Sequence, residues 1–271
     1  MNAFEAVVLG VVQGVTEFLP ISSTAHLRVV PALLGWGDPG AALTAVLQLG
    51  SLVAVIGYFL KDLLGMVRAA LAAARDPSHP PAPAARQLAY IVVGTIPVAV
   101  AGILLKHAIE GSLRALSVIA TAQIVVALGL AYVERTARHS RGFDDISLRD
   151  AILIGGAQAL ALIPGVSRSG ITLLAAMAIG FRRESAARFS FLLSVPAVAA
   201  AGIFELPKVL HANDVSGGVL LVGLLAAAIS SYATIDWLLR FLRKRTTMPF
   251  VVYRIALGIL IFALLALHKI G

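Results

Sequence analysis

Residues 13–26 read Gln13-Gly-Val-Thr-Glu17-Phe-Leu-Pro20-Ile-Ser22-Ser23-Thr24-Ala-His26, a polar stretch in a chain that is otherwise strongly apolar. Gln13 and Glu17 are spaced so that a helix puts both on one face, and Pro20 then ends or kinks that helix. The hydroxyls that follow, Ser22, Ser23 and Thr24, sit where a second helix needs its N-cap, with His26 one turn beyond Ser23. A carboxylate, a hydroxyl and an imidazole therefore converge on a helix break.

A second stretch answers the first. Residues 158–172 read Gln158-Ala-Leu-Ala-Leu-Ile-Pro164-Gly-Val-Ser167-Arg168-Ser169-Gly170-Ile-Thr172. With one deletion they align with the first, Gly10 with Gly155, Gln13 with Gln158, Pro20 with Pro164 and Ser23 with Ser167. Further on, the original offset returns and pairs Leu47 with Leu192, Gly57 with Gly202 and Phe59 with Phe204. The pattern reads as a diverged internal duplication. Its copies differ in chemistry: Glu17 and His26 in the first face Leu162 and Gly170 in the second, and Arg168 stands against Thr24.

The chain around these stretches has 271 residues, of which 59% are hydrophobic and 13% charged, and its mean hydropathy is +0.92. A water-soluble domain carries about 25% charged residues, so the composition is that of a polytopic membrane protein. No basic, apolar and small-residue series marks a removable signal peptide, and the first apolar run is expected to belong to the mature fold. Without cysteine there is no disulfide, thiolate metal site or cysteine nucleophile. The net charge of +8 is not read as nucleic-acid binding, because the basic residues fall between apolar runs, where they set membrane orientation.

Six apolar runs reach the roughly 20 residues that a membrane span needs: 42–60, 87–105, 116–134, 187–207, 218–236 and 250–267. The runs flanking the two proline breaks, 3–18 with 23–35 and 151–163 with 170–180, are each too short and read as re-entrant helical hairpins. Lys61, Arg68, Arg75 and Arg86, then Arg135, Arg138, Arg141 and Arg149, then Arg240, Arg243, Lys244 and Arg245 occupy three connections. The other two hold only Lys106 with Arg114, and Lys208. With the basic connections in the cytoplasm, the first hairpin enters from the external face, the second from inside beside Arg182 and Arg183, and both termini are external, which the resemblance given below makes periplasmic. The expectation is a single all-α membrane domain over 1–271. It is an inverted-topology repeat, 1–136 and 148–271, each half a hairpin (3–35 and 151–180) plus three spans, with the hairpin tips meeting near the midplane. The stretch from Asp76 to Pro83, with four prolines, is a loop, and 61–75 suits an amphipathic helix at the cytoplasmic interface.

Ionisable groups inside a membrane are functional candidates, here Glu17, His26 and Arg168. The competing structural readings are a buried Glu17–Arg168 ion pair tying the halves together, serines that only cap helices, and a satisfied core histidine. Two half-helix N-termini joined by an arginine form an anion site, and the Arg168 fork suits phosphate. Glu17 with the Gln13 oxygen could hold Mg²⁺ (or Ca²⁺) against a diphosphate, or Glu17 could accept a proton. Ser23 and His26 have the spacing of a nucleophile and its base on one helix face.

Gln13 to His26, and Pro164 to Ser169 with Thr172, resemble the two signature motifs of the undecaprenyl-diphosphate phosphatase family of the bacitracin-resistance type. Gln48 to Ser51, Phe189 to Leu193 and Pro249 to Arg254 resemble it too, so the likeness spans the chain. It implies a bacterial inner-membrane enzyme that removes the terminal phosphate of undecaprenyl diphosphate, recycling the carrier lipid of peptidoglycan synthesis. It also implies a divalent cation, a site open to the periplasm, and essential positions at Glu17, Ser23, His26 and Arg168. Ser22, Thr24, Ser167, Ser169, Gly170 and Thr172 are the candidate substrate-binding residues. Many members carry Glu where this chain has Gln13, so Glu17 is the stronger base or metal ligand. Two mechanisms stay open, attack by Ser23 with help from His26, or water activated by Glu17 or His26 with Ser23 only binding phosphate. A carrier or flippase for the same lipid is the competing function, and the sequence leaves oligomeric state, including a homo-oligomer, undecided.

Overall fold

Among the described residues of the computed structural model, apolar runs punctuated by serine caps, prolines and basic clusters fold into eleven α-helices and no strand. Residues 1–76, 78–105, 111–211 and 215–269 are described; Pro77 of the proline loop and Lys106 lie outside them. The helices are α1 (Ala3–Phe18), α2 (Ser23–Leu34), α3 (Gly40–Tyr58), α4 (Leu60–Arg75), α5 (Pro83–Leu104), α6 (Leu116–Thr136), α7 (Leu148–Ala159), α8 (Arg168–Ala178), α9 (Arg183–His211), α10 (Gly217–Lys244) and α11 (Met248–Ala266). Six of them, α3, α5, α6, α9, α10 and α11, are long and apolar enough to cross a membrane and coincide with the six expected spans. Their outward faces carry large apolar side chains such as Ile103, Leu104 and Ile229, each more than 70% exposed. Water does not tolerate such a continuous apolar surface, and a bilayer does. This is a multi-pass membrane protein.

The four short helices that carry the polar motifs form two pairs. In each pair a capping box starts the first helix, Asn2 with Glu5 in α1 and Ser147 with Asp150 in α7, and the chain breaks about one turn before or at the proline. The ends of α1 and α2 distant from the break lie together, with Phe4 edge-on to Trp36 at 6.2 Å. Arg141 does the same for α7 and α8, since it hydrogen-bonds both Asp150 and the carbonyl of Ile179 (3.0 and 3.1 Å). Arg183 with Glu134, Arg243 with Glu184 and Arg188 with Asp62 cross-link the basic connections at that same end of the bundle. Asp38, Arg28 and Arg114 cross-link the opposite end.

Helix α4 carries Leu60, Leu64, Val67 and Leu71 on one stripe, all 43–55% exposed. The stripe has helical spacing and no protein covers it.

Glycines let the short helices approach the long ones closely. A Cβ on Gly10 would lie 2.3 Å from the Gly223 carbonyl of α10, and one on Gly155 would lie 2.0 Å from the Gly94 carbonyl of α5. Small residues at such crossings allow backbone-to-backbone packing inside membranes.

One side chain ties the two breaks together. Arg254 of α11 is fully buried and donates to the carbonyls of Pro20 (3.0 Å) in the first break and Gly165 and Val166 (2.9 and 3.0 Å) in the second. It also donates to Ala122 and Gln123 of α6 (3.3 and 3.1 Å). Broken helices leave carbonyls without intrahelical donors, and Arg254 supplies the missing donors for both.

Replacing Arg254 by Met is expected to destabilise the detergent-solubilised protein by about 3–5 kcal/mol, the usual penalty for breaking a buried charged network, seen as a large fall in Tm. Gly155→Ala should lower Tm, with an overpacking cost of about 1–3 kcal/mol or more. Its neighbour Gly156 has nothing within 4 Å of a built Cβ, so Gly156→Ala should leave Tm unchanged or raise it; equal behaviour of the two alanines would refute the close-packing account.

Candidate active site

The two breaks share one unusual backbone. Ser22 has φ 75° and ψ 101°, and Ser167 has φ 73° and ψ 114°. Both are non-glycine residues in a region that L-residues avoid. Each is an N-cap, the Ser22 hydroxyl accepting from the Ala25 amide (3.3 Å) and the Ser167 hydroxyl from the Gly170 amide (3.1 Å). This corrects the sequence alignment at one point. The spacing that relates Gln13 to Gln158 also relates Ser22 to Ser167, so Ser23 stands against Arg168, no deletion is needed, and only the prolines differ in position by one residue.

Glu17 is the hub of the polar groups. One carboxylate oxygen accepts from Gln13 Nε2 (2.8 Å) and from the Ser23 hydroxyl (2.7 Å), and the other from Arg168 (2.9 Å). Gln13 and Glu17 share a helix face, as expected, and the Glu17–Arg168 ion pair joins the two breaks. Arg168 also donates to the Ser190 carbonyl of α9 (3.2 Å), which fixes its direction. Behind Gln13, Ser51 of α3 and Ser231 of α10 are hydrogen-bonded to each other at 2.8 Å, and Gln13 Nε2 reaches the Ser51 hydroxyl at 3.5 Å.

His26 does not meet Ser23, contrary to the pairing inferred from their spacing. Its Nδ1 lies 2.7 Å from the Ser22 carbonyl and its Nε2 lies 2.6 Å from the Tyr253 hydroxyl, with the two rings stacked. A carbonyl only accepts, so Nδ1 carries the proton and Nε2 accepts from Tyr253. The physical reason is direction, because the Ser23 side chain turns toward α1 while His26 turns toward α11. The side chain that accepts from the Ser23 hydroxyl is Glu17.

A cavity of about 240 Å³ opens over this cluster and is lined by Glu17, Ser22, Ser23, Thr24, Ser167 and Arg168 together with Gln48, Arg114 and Gln158. Apolar residues of α5 and α9, such as Val98, Ala197 and Val198, complete its wall. Arg114 at the rim is held by Asp38 (3.0 Å), which Arg28 also contacts (2.8 Å). Three expected ligand contacts fall outside the lining. Ser169 donates to the Leu19 carbonyl (2.9 Å) and Thr172 to the Arg168 carbonyl (2.7 Å), so both brace the breaks. Gly170 packs on Ser167 and Arg254, where a Cβ would sit 3.1–3.2 Å from them.

No group of three or more His, Asp or Glu that could hold a metal occurs among the described residues. Of the two expected Mg²⁺ ligands, Glu17 lines the cavity and Gln13 lies outside its lining, with its Oε1 buried and unpartnered; one carboxylate is within the one or two protein oxygens that Mg²⁺ commonly takes alongside phosphate and water.

Sequence reasoning gave no role to Arg254, Tyr253, Ser190 or Ser51, which act through contacts between distant helices. A buried arginine in an apolar span was the available signal.

The chain matches the family described as bacitracin resistance protein BacA over residues 6–260. Among curated proteins it is 53% identical to an undecaprenyl-diphosphatase of Myxococcus xanthus, covering 100% of this chain and 92% of that protein. It is 52% identical to one of Gloeobacter violaceus (98% and 93% covered) and 48% identical to one of Nocardioides sp. (98% and 97%). With both breaks and all but the outer turns of α1 and α11 inside the matched region, this chain belongs to the bacitracin resistance protein BacA family.

Proposed function

We propose that this protein hydrolyses undecaprenyl diphosphate to undecaprenyl phosphate and inorganic phosphate at the joined helix breaks, recycling the carrier lipid and so conferring bacitracin resistance. The observation that carries the reading is the Ser23 hydroxyl, hydrogen-bonded at 2.7 Å to a carboxylate that Arg168 holds at 2.9 Å. A nucleophile, its base and a phosphate-matched cation meet at two helix N-termini. A carrier for the same lipid would use the cation and the helix ends but has no need of the Ser23–Glu17 bond.

The membrane setting follows from lengths and charges. Helices α1 and α2, of 16 and 12 residues, extend only about 24 and 18 Å at 1.5 Å per residue, against a hydrocarbon core of about 30 Å. Each pair is therefore a re-entrant hairpin, opening toward opposite ends of the bundle, and the two halves form an inverted-topology repeat. The swapped packing of α1 on α10 and of α7 on α5 supports that reading. With the Arg183, Arg188 and Arg243 end in the cytoplasm, the cavity and its Arg114 rim face the periplasm, both termini are periplasmic, the exposed stripe of α4 lies in the cytoplasmic interface, and the bilayer is the bacterial inner membrane.

In the mechanism, Arg168 and the first-turn amides of α2 and α8 bind the terminal phosphate. The Ser23 oxygen attacks its phosphorus while Glu17 takes the serine proton and passes it to the departing undecaprenyl phosphate as the bridging P–O bond breaks. Water then attacks the phosphoserine, Glu17 taking the water proton and returning it to the Ser23 oxygen as inorganic phosphate leaves. Tyr253 and His26 hold the Ser22 carbonyl and so keep Ser23 aimed at Glu17. Glu17 and Gln13 Oε1 would hold Mg²⁺, which when bound neutralises diphosphate charge next to the carboxylate.

Phosphate release from undecaprenyl diphosphate by the purified protein tests the assignment. Ser23→Ala and Glu17→Gln should each cut kcat by about 10²–10⁴-fold, the span of a lost nucleophile or general base. A chelator should suppress turnover and Mg²⁺ restore it. Tyr253→Phe removes one neutral hydrogen bond and should reduce kcat only about fivefold, matching roughly 1 kcal/mol. Full activity in Glu17→Gln would overturn the role of Glu17, and lipid binding without phosphate release in the wild type would favour a carrier.

A further inference from the structure

Gln158 has a fully buried side chain, and neither its Nε2 nor its Oε1 finds a hydrogen-bond partner among the described residues. It lines the same cavity as Glu17, Ser23 and Arg168. Its counterpart in the first half shows what is missing. Gln13 donates to Glu17, one turn further on, at 2.8 Å. Four residues beyond Gln158 the chain carries Leu162, which accepts nothing. The duplicated glutamine therefore keeps its amide while the carboxylate that would occupy it is gone. Buried polar groups are nearly always paired, and an amide left without a protein partner beside a phosphate-matched arginine is a recognition group for a ligand.

The cavity's character selects that ligand. Its ionisable lining is one carboxylate, Glu17, against two guanidiniums, Arg168 and Arg114, and Arg168 Nε is also buried without a partner. We propose that Gln158 is a substrate-binding residue whose Nε2–H donates to a non-bridging oxygen of the lipid diphosphate, adding to Arg168 a neutral donor that the second helix pair supplies. The inference rests on the reading that this cavity takes a polyprenyl diphosphate. It assigns Gln158 to binding and leaves the chemical step to Ser23 and Glu17.

The test uses the full-length protein in detergent, with Gln158→Leu and Gln158→Asn beside the wild type and two probes, undecaprenyl diphosphate for turnover and inorganic pyrophosphate with Mg²⁺ for binding. Loss of a hydrogen bond to a charged group corresponds to about tenfold or more. Both variants should raise KM by about that factor with kcat little changed, and both should shrink the rise in Tm that pyrophosphate gives the wild type. Gln158→Leu should also melt at the same or a higher temperature without ligand, because an unpaired buried amide has been removed. An unchanged KM and pyrophosphate shift in Gln158→Asn, together with a lowered Tm or a failure to fold in Gln158→Leu, would overturn the inference and make the amide an internal structural group. If the wild type releases no phosphate yet pyrophosphate still raises Tm through Gln158, the phosphatase reading falls and the binding role of Gln158 stands.

Discussion

Arg254 is the constraint on which the rest of the site depends. Two helices broken inside an apolar bundle expose carbonyls that no lipid can satisfy, at a cost of several kcal/mol each. Its single guanidinium donates to Pro20 on one side and to Gly165 and Val166 on the other, so the two breaks are satisfied by the same group and held at a fixed separation. Gln123 adds a donor to the Ile21 carbonyl at 2.8 Å, and Ser169 one to Leu19 at 2.9 Å. The positions of Ser23 and Arg168 relative to Glu17 follow from this backbone stitching. Burying a charge without a carboxylate partner is costly, and five carbonyl contacts offset that cost here.

Local strain adds to the same purpose. Ser22 and Ser167 occupy a positive-φ conformation that turns the first residue of the following helix toward the cavity. In one half that residue is Ser23, in the other Arg168. The two similar N-termini thus present a hydroxyl and a guanidinium, and both hydrogen-bond to Glu17 between them. The Glu17–Arg168 pair is at once the tie between the two breaks foreseen as a structural alternative and the contact that orients the carboxylate.

Much of this was legible in the chain. The six spans emerged from apolar length alone. The two short helix pairs could be read from proline and serine punctuation, and the Gln13–Glu17 pairing from helical spacing. What failed was spacing used as a proxy for direction. Ser23 and His26 share a helix and point apart, because Tyr253, more than two hundred residues on, captures the imidazole. Thr172 and Ser169 lie in a phosphate-like motif and are consumed by backbone carbonyls. The single-residue slip in aligning the repeats hid the correspondence of Ser23 with Arg168, since identity of residue type favoured pairing serine with serine while the backbone pairs N-cap with N-cap. Contacts between elements far apart in sequence, Arg254 above all, leave only a polarity anomaly in an apolar span.

The most direct test is a rapid acid quench of the wild-type protein with undecaprenyl diphosphate labelled in its terminal phosphate, followed by peptide mapping. The account predicts an acid-stable phosphate ester on Ser23 that forms within the first turnover, decays with turnover and does not form in Glu17→Gln. Steady phosphate release with no label on Ser23 at any time would contradict it and would make an activated water, not the serine, the nucleophile.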